Sequence, residues 1–371
     1  YLHDVRDKIG HEIAGRADEI DDAGHYPRDL LQALGAAGLL DLGLPGPEGT
    51  AGGGVFEVVL VVEEVASMCA STGAIVAISN MLVCDPLRRS GPGEVLGDIL
   101  SRVGRGELLP CHVVSSGTDA LRVRRDGDIY LIDGVARRVG GGAHADVCLL
   151  QGPLASVDSE GGDELSFWAI SLDAPGIRRG LPTRDLGLRG VATRDIIFEG
   201  CRVEALRRLG DGALDENMVR RVQDADRLAF AAIALGVGRS ALSVATRYAR
   251  DREDLGSQQL VQFELADMAT RLDAARLLTW RAAHVWDGQA RDGQAWEGGA
   301  WGKEGAAMAR LMAAEVASFV SGEAARLCAG IADVPDGGKI ERNLRDAKRI
   351  ETLMGTSAAL RAELAEVLIE D

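Results

Sequence analysis

The hydrophobic period changes twice along this chain, and those two changes constrain its fold more than any single residue does. Up to about residue 105, apolar residues recur at helical spacing. Leu30-Leu31-x-x-Leu34-x-x-x-Gly38-Leu39 is one such run, with Pro27 at its start, where a missing N–H costs nothing. Residues 55–69 and 71–89 read as further helices, the first with Glu63-Glu64 on its wet side. From Glu107 to Val203 the chain turns to short β-like runs: Leu121–Arg125, Ile129–Ile132, Val147–Leu150, Leu165–Leu172 and Asp195–Phe198. Asp126-Gly127-Asp128 between the first two predicts a hairpin. After Gly212 the helical period returns, in segments 224–250, 260–286, 303–330 and 342–368, with Asp287–Gly302 read as a loop. Four long amphipathic segments with short joins predict an antiparallel bundle. At 371 residues the chain exceeds one ordinary core. The expectation is an α+β protein of three domains: an N-terminal helical domain (1–105), a middle β-barrel-like domain (106–212) and a C-terminal four-helix bundle (213–371).

Charge and composition exclude several functions. The formal charge is −16, which argues against wrapping a phosphate backbone, so no nucleic-acid partner is expected. Tyr1-Leu2-His3-Asp4 opens a charged helix and not a basic-then-apolar leader. The longest apolar stretch read from the sequence, Val55–Val62, is broken by Glu57, so no membrane span is expected. The six cysteines are scattered without C-x-x-C spacing, which fits buried free thiols in a cytoplasmic protein. No two of the six histidines lie at metal-ligand spacing, so no metal is expected.

Three ordered motifs carry a resemblance. Leu186-Gly187-Leu188-Arg189-Gly190-Val191-Ala192-Thr193, followed by Ile197-Phe198-Glu199, resembles the end of the β-domain in acyl-CoA dehydrogenases. Tyr248-Ala249-Arg250-Asp251-Arg252-Glu253-Asp254-Leu255-Gly256, then Gln262-Phe263-Glu264, resembles the family's second bundle region. Glu341-Arg342-Asn343-Leu344-Arg345-Asp346-Ala347-Lys348, then Gly355-Thr356-Ser357, resembles its C-terminal motif. The resemblance covers essentially the whole chain. It implies α,β-dehydrogenation of an acyl thioester, in which a carboxylate takes the α-proton and FAD takes the β-hydride.

The same motifs show where this chain departs from the family. The usual base position, just before Gly-Thr, is Met354, which cannot take a proton. Glu351 lies about a turn earlier. Some relatives place the base near the start of the first bundle helix, where this chain has Asp224-Ala225-Asp226, with Asp226 on the matching position. The bland alternative is that both aspartates favour a helix N-terminus. For the cofactor, the resemblance points to Ser115, in place of a loop threonine, and to Arg252, Arg326 and Thr356 at the diphosphate end. The family's Trp-Ile-Thr/Ser segment, which packs on the flavin ring, reads Arg138-Val139-Gly140, without an aromatic wall or a hydroxyl. Arg138 reads either as a surface strand residue or as a cation near the flavin pocket. Losing a stacked ring and one hydrogen bond weakens FAD on the order of thirtyfold, so the expectation is FAD bound weakly or lost.

Three functions follow. The first is a divergent acyl-CoA dehydrogenase-like flavoprotein acting on an acyl-CoA or acyl-carrier thioester through Asp226. The second is the degenerate subunit of a hetero-oligomer with a paralogous chain. The third is a non-redox enzyme reusing the acyl pocket. A homo-dimer, homo-tetramer or hetero-oligomer built on the bundle is expected, with the Ala-rich run 229–234 contributing buried surface.

Overall fold

The computed structural model describes residues 5–43, 53–90, 93–115, 121–154, 164–209, 216–291, 304–328, 337–353 and 357–370. A π-helical turn, Arg6–Gly10, runs into α1 (His11–Ala23), which Gly24 ends at φ 61° in the left-handed region that favours glycine. Pro27 is the extended residue just before α2 (Arg28–Ala36). Then come α3 (Val55–Met68), α4 (Ala70–Ala77), a π-helical stretch Ile78–Cys84, α5 (Asp85–Arg89) and α6 (Glu94–Gly104).

Glu63 and Glu64 correct the expectation of a wet face on α3, because each is only 4% exposed. Their charges are balanced by arginines from other helices. Arg6 holds Glu64 through bonds of 2.5 and 2.8 Å, Arg239 reaches Glu64 at 2.9 Å, and Arg276 reaches Glu63 at 3.0 Å.

Seven strands form one curled sheet: β1 (Pro110–Val114), β2 (Arg122–Asp126), β3 (Ile129–Val139), β4 (Val147–Leu154), β5 (Glu164–Ser171), β6 (Ile177–Arg179) and β7 (Arg194–Glu204), in the order β1-β4-β2-β3-β7-β6 with β5 on β4. The β2–β3 hairpin turns on Gly127 and Asp128, with Asp126 opposite Ile129 and Gly127 at φ 61°. Alternation along β4 and β5 divides their side chains between two cores. Cys148, Leu150, Trp168 and Ile170 pack inside the sheet; Val147, Leu149, Phe167 and Ala169 pack against the helices. That is why β4 is apolar at nearly every position.

The C-terminal helices are α7 (Glu216–Arg250), a one-turn helix Glu253–Gly256, α8 (Gln259–Arg291), α9 (Gly305–Leu327), α10 (Gly337–Thr352) and α11 (Ser357–Glu370). Two expectations are corrected here. α8 runs five residues into the stretch read as a loop, and segment 342–368 is two helices. One apolar core joins the N-terminal helices to the bundle, with Val58 and Val62 of α3 and Leu228 and Leu235 of α7 among its fully buried members. At Gly236 the helices approach so closely that a Cβ would sit 2.6 Å from Ala66 Cβ, and only glycine fits. Two segments, Ala70–Arg89 and Met218–Arg250, are long and apolar enough by composition to cross a bilayer, a feature the sequence reading missed; both are mostly buried inside the protein.

Candidate active site

The β-domain, the π-helical stretch and helices α7 and α10 meet around a cavity of about 80 Å³. Ile78 and Leu82 of the π-helical stretch form one wall, Arg138 and Gly140 at the end of β3 another, and Asp226, Phe230 and Arg349 the floor. A second cavity of about 210 Å³ adjoins it, with His112 and Asp226 lining both and Gln151 and Gln223 lining only the second. A larger cleft of about 670 Å³ opens between α1 and residues 182–194; it shares only Thr193 with the first cavity, and its Asp21 is already bound by Arg345 at 2.5 Å.

Asp226 is the centre of the site. α7 begins at Glu216, so Asp226 lies in the third turn, beyond the reach of the helix N-terminal field, and the capping alternative fails for it. It is 7% exposed and accepts no hydrogen bond from any described residue. Burial pushes its carboxyl up to about 6, with Arg310 and Arg227 partly opposing. Arg310 donates to the carbonyls of Ile350 (2.6 Å) and Leu353 (3.0 Å), while its Nη1 has no hydrogen-bond partner. His112 on β1 is half-buried, with its Nε2 shielded from solvent and unbonded among the described residues, and desolvation pushes it down to about 4, so it is neutral at pH 7. Gln151 Oε1 also lacks a partner. A buried carboxyl, a neutral imidazole and a side-chain amide, all short of hydrogen bonds, suit a polar ligand rather than a packed core. Asp224 lines neither cavity and turns to Arg227 at 3.1 Å.

The other sequence candidates separate from this centre. Glu351 accepts from Ser318 (2.7 Å) and Lys348 (3.1 Å), which hold its carboxyl below the usual range, and it lines neither cavity. Arg138 does line the first cavity, but it is not a regular strand residue. It sits at φ 53° in a bulge of β3, with its guanidinium 57% exposed and 3.5 Å from Asp185. Ser115 Oγ accepts the Leu121 N–H at 2.7 Å. Arg252 lies over the Tyr248 ring at 3.9 Å, with no carboxylate partner among the described residues. Arg326 does not offer the free charge expected of it, because Glu264 (2.5 Å) and Glu323 (2.8 Å) already neutralise it. Met354 and Thr356 lie outside the described residues.

The residues fit FAD at one end only. Arg252 can serve a diphosphate. The ring end has two arginines, Arg138 and Arg349, sharing Asp185, around a cavity well below the ~300 Å³ at which small-molecule pockets begin. Asp226 and the end of α7 at Arg250 are 24 residues apart, about 36 Å of helix at 1.5 Å per residue. Asp226 and Arg252 are therefore too far apart within one chain to meet the ring and the diphosphate of the same flavin, which only a five-carbon ribityl chain separates.

A helical domain, a curled sheet and a bundle closing on one buried carboxyl define the architecture of acyl-thioester oxidoreductases. The chain matches the N-terminal domain of acyl-CoA dehydrogenase over residues 2–107 and the C-terminal domain over 218–369. It is 30% identical to the human mitochondrial short-chain specific acyl-CoA dehydrogenase, across 99% of this chain and 89% of that protein. FkbI, solved in connection with the methoxymalonyl extender unit of a polyketide, superimposes with a TM-score of 0.82 at 27% identity over 99% of both chains. The butyryl-CoA dehydrogenase of Megasphaera elsdenii shares the fold, with a TM-score of 0.85 at 23% identity over 99% and 97% of the two chains. The chain belongs to the acyl-CoA dehydrogenase family, whose members bind FAD.

His112, Gln151, Asp185, Arg310 and Arg349 were not singled out as site residues from the sequence. A signal existed for His112: Cys111 and Val113 flank it and pack into the sheet core, so alternation sends His112 to the helices. Arg349 follows Arg342 and Arg345 at helical spacing, a pattern that reads as a wet face although Arg342 and Arg349 are both buried.

Proposed function

We propose that this chain binds an acyl thioester in the two adjoining cavities and that Asp226 exchanges the proton at the carbon α to the carbonyl. The observation that carries the reading is Asp226 itself: a buried carboxyl that accepts no hydrogen bond from a described residue, poised near pH 6, on the wall common to both cavities. His112 and Gln151 are placed to bind or orient the polar part of the acyl group. When bound, FAD would accept the β-hydride, giving the dehydrogenation for which the family is named. Arg252 of a second subunit would hold its diphosphate, and the missing aromatic wall makes that binding weak. Exposed Leu260, Phe263 and Leu277 on α8 supply an oligomer surface. The Ala-rich run 229–234 does not, since Ala229, Ala231, Ala232, Ile233 and Ala234 are already buried within one chain. The six cysteines are all buried and free, which supports a reducing, cytoplasmic setting.

The ring end favours a second reading: proton chemistry on a thioester without redox, or a subunit completed by a paralogue. Absorbance between 350 and 500 nm, alone and after FAD titration, separates these. Weak, saturable FAD binding together with thioester-dependent bleaching supports dehydrogenation. A chain that never binds FAD but exchanges the α-proton of an acyl thioester into deuterated water supports the non-redox reading. Failure of Asp226→Asn to abolish both activities removes Asp226 as the base.

A further inference from the structure

The thioester reading leaves part of the cavity wall unexplained, and that part bears on what the acyl chain carries. Arg349 is 8% exposed, yet its guanidinium donates no hydrogen bond to any described residue. Its Nη2 faces Asp185 at 3.2 Å without hydrogen-bond alignment. The same Asp185, 5% exposed at its side chain, also serves Arg138 at 3.5 Å. Behind Asp226 stands a third guanidinium, Arg310, with Nη1 unbonded. Of the two arginines that line the cavity, Arg349 is buried and shares its one carboxylate, Asp185, with the exposed Arg138.

A buried charge whose hydrogen bonds are unmade is costly even beside a counter-charge. The group that best satisfies a planar guanidinium is a carboxylate, which accepts two parallel hydrogen bonds from it. The remaining wall is mostly apolar, with Ala74, Leu82 and Val191 among its residues, and it suits a hydrocarbon link. The cavity is small, so that link is short. Asp226 and Arg349 line the same cavity, so a short chain can set its α-carbon at the first and its far end at the second.

We propose that Arg349, assisted by Arg138, receives a carboxylate at the far end of the acyl chain, so that the ligand is a short carboxyacyl thioester. This inference rests on the thioester reading and narrows it to one substrate class.

Calorimetry on the full chain tests it with pantetheine thioesters, the part common to CoA and carrier-protein substrates. Malonyl and succinyl pantetheine are compared with propionyl and butyryl pantetheine. At least one carboxyacyl probe binds about tenfold or more tightly than the alkyl probe of equal carbon number, a preference that Arg349→Met removes. Arg138→Met, at an exposed guanidinium, reduces the same preference and covers the case in which Arg349→Met does not fold. Equal or tighter binding of the alkyl probes overturns the inference and leaves the thioester reading standing. No binding of any probe overturns both. Loss of FAD affinity in Arg349→Met with an unchanged acyl preference assigns Arg349 to the cofactor and also overturns the inference.

Discussion

In its proposed role as base, Asp226 sets stability against function within a single residue. In the folded chain its carboxyl titrates near 6, against 3.8 for an ordinary aspartate. Between those values the folded chain holds a proton that the unfolded chain has released. Stability therefore falls as pH rises through that window and stays lower above it. Asp226→Asn lacks the titration. Relative to the parent, the variant gains about 1.4 kcal/mol between pH 5 and pH 8, roughly one pH step of retained protonation at 1.36 kcal/mol per step. Denaturant unfolding at the two pH values measures this directly, and equal differences at both would mean that Asp226 does not titrate near 6. The proposed role as base needs the ionised form, so activity is expected to move the other way, rising with pH to a plateau above about 6. The resemblance located Asp226 in the sequence, but its burial came from contacts the sequence does not display. Glu63 and Glu64 were misread for the same reason: their partners Arg6, Arg239 and Arg276 lie on three other segments.

Among the elements, local signals were read well and distant ones poorly. Asp126-Gly127-Asp128 carries its own turn chemistry, and the hairpin follows. The end of α8 does not announce itself, because Asp287, Gly288 and Gln289 resemble a loop while a tertiary contact extends the helix. Asp287 is 6% exposed and accepts the N–H groups of Val55 (2.7 Å) and Phe56 (3.0 Å), the first turn of α3. Its carboxylate thus caps a helix from 232 residues away along the chain. Asp287→Ala leaves two amide donors of that helix end unbonded and costs about 2 kcal/mol. Chemical denaturation checks the value, and hydrogen exchange should localise the loss of protection to Val55 and Phe56. An unchanged midpoint would show that water or another group replaces the carboxylate without loss.

For the whole molecule, the length of α7 sets how many subunits the proposed flavin site would draw on. Asp226 stands near its start and Arg252 just past its end, too far apart for one flavin to use both from one chain. The exposed apolar residues of α8 offer a surface for a second copy, and Phe263→Asp with Leu277→Asp should give a monomer by light scattering. That monomer should also lose FAD, although neither residue belongs to the proposed cofactor site. Mixed subunits give the sharper test. On the proposed roles, Asp226→Asn alone lacks the base and Arg252→Ala alone lacks the diphosphate anchor, so each homo-oligomer should be inactive. In a mixed dimer, one site combines the native Asp226 of the Arg252→Ala chain with the native Arg252 of the Asp226→Asn chain. The other site carries both lesions. Co-expression with two affinity tags, followed by sequential purification, isolates this hetero-dimer, and its turnover should be about half that of the parent dimer because one of its two sites is whole. Sites contained within single chains cannot complement in this way, since every site would keep one lesion. A hetero-dimer as inactive as either homo-oligomer would therefore return both residues to separate functions, and the diphosphate role of Arg252 would be lost with them.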